Sequence, residues 1–81
     1  MRVRVRLFAS LREAAGCEAI DLDLPAGATV ADAWPALLRQ SSSLEPWRGR
    51  ALIALNRRYV GPAAPLADGD ELALFPPVSG G

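Results

Sequence analysis

Three short segments alternate strictly between inward-facing apolar and outward-facing side chains, and this alternation limits the fold more than any other feature. In residues 2–8 (Arg-Val-Arg-Val-Arg-Leu-Phe), Val3, Val5 and Leu7 share one side, and Arg2, Arg4, Arg6 and Phe8 share the other. In residues 19–24, Ile20, Leu22 and Leu24 oppose Asp21 and Asp23. In residues 71–75, Leu72 and Leu74 oppose Glu71, Ala73 and Phe75. A period of two is that of a strand with one buried face. If the first two strands are neighbours, the aspartates meet the arginine row. Each such exposed pair adds only a few tenths of a kcal/mol, but together they favour one register.

An apolar sheet face must be covered, and residues 29–40 supply the cover. Val30, Trp34, Leu37 and Leu38 form one helical stripe, and Thr29 with Asp32 has the spacing of an N-terminal cap. Pro35 lies beyond the first turn and has no N–H, so a kink or irregular turn is expected there. The helix should end near Gln40, before the Ser41-Ser42-Ser43 run. Residues 9–16 are rich in helix formers, with Ser10 and Glu13 at capping-box spacing and Gly16 as a stop. Residues 41–50 read as loop, with Pro46 and Gly49 as breakers. Residues 51–55 (Ala-Leu-Ile-Ala-Leu) read as a strand buried on both faces. Asn56-Arg57-Arg58 is a tight turn, Tyr59-Val60 a short return strand, and 61–67 an irregular crossover. Asp68-Gly69-Asp70 is a turn.

This order gives an α+β fold of the β-grasp, ubiquitin-like type. A mixed sheet of about five strands carries one long helix across it, and the first and last strands run parallel at its centre. Residues 1–75 form the domain and 76–81 an extended tail. Phe8 and Phe75 end the two central strands with the same outward parity. They are expected to meet on the uncovered face, at the root of the tail, as an anchor for a partner.

The tail itself is Pro76-Pro77-Val78-Ser79-Gly80-Gly81. The prolines cannot extend a sheet ladder and favour an extended exit. The glycines make the narrowest end a polypeptide can have. Extended, the tail spans roughly 20 Å, which suits a carboxylate presented inside another protein's pocket. A frayed terminus has the same composition.

Composition removes most enzymatic chemistry. The 81 residues make one small domain, and the 51% apolar fraction is ample for a core. Nine acidic residues balance nine basic ones, and no nucleic-acid or membrane footprint results. No apolar run spans a bilayer and no leader pattern precedes the first strand, so a cytoplasmic location is expected. The absence of His excludes Ser-His and Cys-His catalysis and His-ligated metals. All the basic residues are Arg, so there is no Schiff-base lysine, P-loop lysine or isopeptide acceptor. Cys17 is alone, without a disulfide or metal companion, and reads as a small buried or half-buried filler.

The chain resembles the MoaD/ThiS family of ubiquitin-like sulfur carriers, whose molybdopterin-type members form the small subunit of molybdopterin synthase. The matching stretches are 7–16 (LFASLREAAG), 24–30 (LPAGATV), 65–75 (PLADGDELALF) and the ending FPPVSGG. The likeness covers nearly the whole chain. It implies a non-catalytic subunit whose Gly81 carboxylate is adenylated, converted to a thiocarboxylate (a C-terminal 1-thioglycine) and used as sulfur donor to a cyclic pyranopterin precursor in molybdenum cofactor biosynthesis. Gly81 would carry the sulfur. Gly80, Ser79, Val78, Pro77 and Pro76 would insert into the partner, and Phe8 and Phe75 would contact it. The implied partners are the large synthase subunit, in a heterotetramer, an E1-like adenylating enzyme that uses ATP, and a sulfur donor protein. No cofactor or metal is implied on this chain.

Other readings share these residues. A thiamine-type sulfur carrier has the same fold but usually lacks the 9–16 segment. A ubiquitin-like protein modifier also ends in Gly-Gly, and without Lys this chain could not form side-chain-linked chains on itself. A binding domain with an inert tail and a carrier using a Cys17 persulfide complete the set. Trp34, Pro35 and the Arg57-Arg58 turn depart from the family pattern.

Overall fold

A computed structural model of the chain describes residues 1–77. In chain order the elements are β1 (Arg2–Leu7), α1 (Ser10–Ala15), β2 (Ala19–Asp23), α2 (Val30–Gln40), a 3₁₀ helix (Ser42–Trp47), β3 (Leu52–Leu55), β4 (Arg58–Tyr59) and β5 (Glu71–Phe75). The strands form one five-stranded sheet in the order β2-β1-β5-β3-β4. The β1–β5 pair is parallel and the other pairs are antiparallel. This is the β-grasp arrangement.

The alternating segments become strands with the expected faces. Val3, Val5, Leu7, Ile20, Leu22, Leu72 and Leu74 are buried in one core cluster. Arg2 lies opposite Asp23 and Arg4 opposite Asp21. The side chains follow, with Arg2 Nε 3.4 Å from Asp23 Oδ1 and Arg4 Nε 3.0 Å from Asp21 Oδ1. The hydrogen bond from Arg4 holds the Asp21 carboxyl below its usual range. A carboxylate lowered in this way adds stability above its unfolded value of about 3.9 and loses it as pH falls through the lower folded value. Both side chains are exposed, so the contribution is small.

Helix α2 covers the apolar face through Val30, Ala33, Trp34, Ala36 and Leu37, with Leu38 half-buried at the margin. Asp32 accepts hydrogen bonds from the Thr29 backbone N–H (2.8 Å) and the Thr29 hydroxyl (3.1 Å), as the cap spacing predicts. The crossover after β4 completes this start. Val30 N–H donates to the Ala64 carbonyl and Ala31 N–H to the Pro62 carbonyl, which satisfies two donors that a helix start leaves free. The expected irregularity at Pro35 does not divide the helix: α2 runs from Val30 to Gln40 as one element. Pro35 sits on the exposed face, where water can reach the Ala31 carbonyl that has lost its donor.

Several sequence expectations need correction. Residues 42–47 are a 3₁₀ helix rather than loop. Leu44 is fully buried beneath it, Trp47 is half-buried against the core, and the Ser43 hydroxyl donates to the Ala14 carbonyl at 2.7 Å. One deeply buried leucine anchors a segment whose composition otherwise reads as irregular. The 51–55 run is not buried on both faces: β3 starts at Leu52, and only Ala54 in it is buried. Among the described residues, only the two-residue β4 lies outside β3, and no helix covers the sheet face away from α2. The return strand is Arg58–Tyr59 rather than Tyr59-Val60. Ser10 does not cap α1; the helix begins at Ser10, with Ala9 in the cap position. Cys17 is exposed, because it follows the left-handed Gly16 that turns the chain away from α1. Among the described residues, no helix is long and apolar enough to cross a membrane.

Leu74, 3% exposed, tests which face is the core. Leu74→Ala should lower the unfolding free energy by about 2–5 kcal/mol in urea denaturation. An unaltered curve would show that this face is not the one α2 buries.

Candidate functional site

The face opposite α2 is organised by the register of the central strands. In the parallel β1–β5 pair Leu7 stands beside Leu74, and the Phe8 N–H donates to the Leu74 carbonyl at 3.2 Å. One residue further on, Phe8 and Phe75 must lie side by side. Their rings stack with centroids 4.6 Å apart and planes 13° from parallel. This is the close end of the range that aromatic pairs favour.

Two more groups extend the stack. The Arg6 guanidinium lies 5.3 Å from the Phe8 ring centroid and 3.8 Å from the Glu71 carboxylate. Tyr59, opposite Ala54 in the β3–β4 pair, meets the edge of Phe75 at 6.5 Å and 61°. Tyr59 is 74% exposed and is the large apolar side chain left in solvent among the described residues. A shallow depression connects these residues over Ala54 and Ala73. Sequence reasoning missed Tyr59. Its signal was the hairpin register, because a residue paired with Ala54 must share the outward parity of Ala73 and Phe75.

The turn after Phe8 is strained. Ala9 has φ 52° and ψ −125°, while the Leu11 N–H donates to the Phe8 carbonyl at 3.2 Å. This is a type II′ turn, whose first central position favours glycine. It lets the chain leave β1 at Phe8 and enter α1 at once, with Leu11 fully buried below. Holding a non-glycine residue there costs of order 1–3 kcal/mol.

The sequence also assigned the tail to the site. Pro76 and Pro77 are half-buried next to Phe75. Val78, Ser79, Gly80 and Gly81 lie outside the described residues. The described part of the site holds aromatic, guanidinium and carboxylate groups suited to recognition. Groups of three or more His, Cys, Asp or Glu placed to hold a metal are absent among the described residues.

Ala9→Gly should relieve the strain at the turn. The expected outcome is a gain of up to about 1 kcal/mol in chemical denaturation. A loss of stability would mean that the Ala9 methyl group contributes packing that outweighs its strain.

The sequence profile of the ThiS family matches residues 5–81. The molybdopterin synthase sulfur carrier subunit of Arabidopsis thaliana is 37% identical over 81 residues, spanning 100% of this chain and 84% of that protein. Small archaeal modifier protein 1 of Haloferax volcanii is 43% identical over 84 residues, spanning 94% of this chain and 97% of that one. A crystal structure of SAMP1 from Haloferax volcanii superposes with a TM-score of 0.89 at 37% identity, covering 100% of both chains. A chain in the complex of subunits 1 and 2 of the molybdopterin-converting factor from Helicobacter pylori superposes with a TM-score of 0.70 at 32% identity, again over 100% of both. With the sequence match running from within β1 to residue 81 and the sheet and helices superposing on these structures, the chain belongs to the ThiS family.

Proposed function

We propose that this chain is the sulfur carrier subunit of molybdopterin synthase, with the Gly81 carboxylate as the carrying group. The observation that supports it most is the match through residue 81 to a relative named for that role. The chemistry follows from the terminal group. A C-terminal carboxylate has a pKa of about 3.5, so at neutral pH it is ionised and a poor acyl electrophile. An E1-like partner transfers AMP from ATP to one carboxylate oxygen and releases pyrophosphate, giving an acyl-adenylate. A donor protein's persulfide attacks the carbonyl and expels AMP, and a second thiol then cleaves the S–S bond of the resulting acyl disulfide, which leaves a thiocarboxylate on Gly81 and a disulfide between donor and thiol. The large synthase subunit receives the tail, and the sulfur passes to a cyclic pyranopterin precursor in molybdenum cofactor biosynthesis.

The chain's own residues present and bind. Gly80 and Gly81 pass where a side chain would not. Pro76 and Pro77 end the β5 ladder, so that Val78 and Ser79 continue into the partner and not along the sheet. The Phe8–Phe75 stack forms the contact at the root of the tail. The pairing of subunits 1 and 2 in the Helicobacter pylori complex supports a large-subunit partner, and we place two copies of each subunit in a cytoplasmic heterotetramer. The subunit is non-catalytic and binds no cofactor: acid, base and nucleotide all come from partners, which fits a chain without His or Lys.

A second reading has its own support. The 43% identity to small archaeal modifier protein 1 fits a role in which Gly81 is joined to lysines of other proteins. A thiamine-type carrier has no comparable observation in its favour, since α1 over residues 10–15 is the segment such carriers usually lack.

Intact mass after incubation with ATP, the adenylating enzyme and a sulfur source separates these readings. The carrier role requires replacement of one Gly81 oxygen by sulfur, mapped to the last peptide. An unmodified tail with an active enzyme would overturn it, and conjugates to other proteins would favour the modifier. Deleting Gly81 should abolish loading while the melting curve stays unchanged; unfolding would show that the tail is part of the domain. Phe75→Ala should weaken binding to the large subunit by about 1–3 kcal/mol in calorimetric titration. Unchanged affinity would remove the stack from the interface.

A further inference from the structure

The tip of the β3–β4 hairpin carries a residue that its backbone does not favour. Leu55 pairs with Arg58, and the two residues between them, Asn56 and Arg57, have φ values of 49° and 74°. Two consecutive left-handed residues between paired strands make a type I′ turn. The sequence such a turn favours is Asn-Gly, with glycine at the second place. Asn56 fits the first place and is tied in by three hydrogen bonds. Its N–H donates to the Glu71 carbonyl at 2.9 Å, its side-chain amide donates to Asp70 Oδ1 at 3.0 Å, and its Oδ1 accepts from the Glu71 N–H at 3.0 Å. The turn is therefore held to the start of β5, and Arg57 has no route out of the left-handed region. Glycine there would fold with less strain. Folding does not account for an arginine at this position.

Its surroundings do. Arg57 lines the same depression as Phe8, Tyr59 and Phe75. Arg6 and Glu71 line it too, and they pair with each other at 3.8 Å. Two guanidinium groups against one carboxylate leave one positive charge, and Arg57 makes no ion pair among the described residues. Arg58, opposite Leu55, has the other parity and points away from this face.

We infer that Arg57 is a specificity residue of this face, reading a carboxylate (Asp or Glu) that the large subunit presents beside the socket for the Phe8–Phe75 stack. A guanidinium on a rigid turn can meet a carboxylate through two parallel hydrogen bonds, a geometry that a lysine in the same place does not reproduce. The aromatic groups supply the apolar contact, and Arg57 sets the orientation and rejects a partner with a basic rim. The strain at the turn is retained because the side chain serves the complex and not the free domain. This inference rests on the reading of the open face as the large-subunit interface.

The test is titration of the chain against a molybdopterin synthase large subunit, at two ionic strengths, alongside thermal unfolding of each variant. Arg57→Gly should bind about five- to tenfold more weakly at low salt, with the difference shrinking as salt rises. Its melting temperature should be equal to or above that of the unmodified chain. Arg57→Glu should bind more weakly still, and Arg57→Lys should fall between Gly and Arg. Arg39→Ala removes an equal charge on exposed α2 surface and should change nothing. If Phe75→Ala weakens binding and Arg57→Gly does not, the inference is wrong and the interface reading stands. Parallel losses of melting temperature and affinity in Arg57→Gly would also overturn it, by making the residue structural. If the unmodified chain does not bind the large subunit, the interface reading itself fails and takes the inference with it.

Discussion

The parallel pairing of β1 with β5 is the contact on which the rest of the structure depends. It joins the first strand of the chain to the last at the middle of the sheet, with β2 outside one and β3 outside the other. Parallel strands cannot be joined by a tight turn, and here nearly the whole chain lies between them. That intervening chain contains the covering helix α2 and the crossover whose carbonyls accept its first N–H groups. The same pairing sets Leu7 beside Leu74 and hence Phe8 beside Phe75. One register thus defines both the core and the aromatic patch on the opposite face.

The two faces solve different problems. Toward α2 the sheet presents Val, Leu and Ile in close packing, and no polar side chain is buried among the described residues. Toward solvent it presents arginines and acids in pairs, interrupted by an aromatic cluster that water does not favour. Both non-glycine positions discussed above with positive φ and a preference for glycine, Ala9 and Arg57, border that cluster. Ala9 turns the chain sharply so that Phe8 remains on the open face while Leu11 is buried. Arg57 projects a charge from a hairpin tip that hydrogen bonds hold in place. Local strain at the rim of this aromatic cluster is tolerable because the surrounding hydrogen bonds and core over-determine the backbone.

Much of this was legible in the amino-acid order, for reasons tied to particular residues. Period-two alternation in 2–8, 19–24 and 71–75 identified three strands and their buried faces. The Thr29–Asp32 spacing marked the start of α2, and Gly16 marked the end of α1. What escaped were features decided by one contact across the fold. Leu44 lies in a serine- and proline-containing stretch whose local signals all read as loop; only its burial makes the 3₁₀ helix worth forming. The 51–55 run looked doubly buried because apolar content alone does not tell a central strand from one near an edge. Cys17 looked like filler because nothing local says on which side of Gly16 the chain emerges.

The sequence by itself determined the three alternating strands, the two α-helices, most of their core-facing residues and the narrow glycine ending, because these follow from side-chain periodicity, backbone propensity and residue size, all local quantities. Only the tertiary structure decided that Tyr59 joins Phe8 and Phe75, that Arg6 bridges Phe8 and Glu71, and that Arg57 lines their depression. Those groupings bring together residues far apart in the chain. They depend on strand order and register, which are set by how the whole sheet closes beneath α2 and not by any single segment.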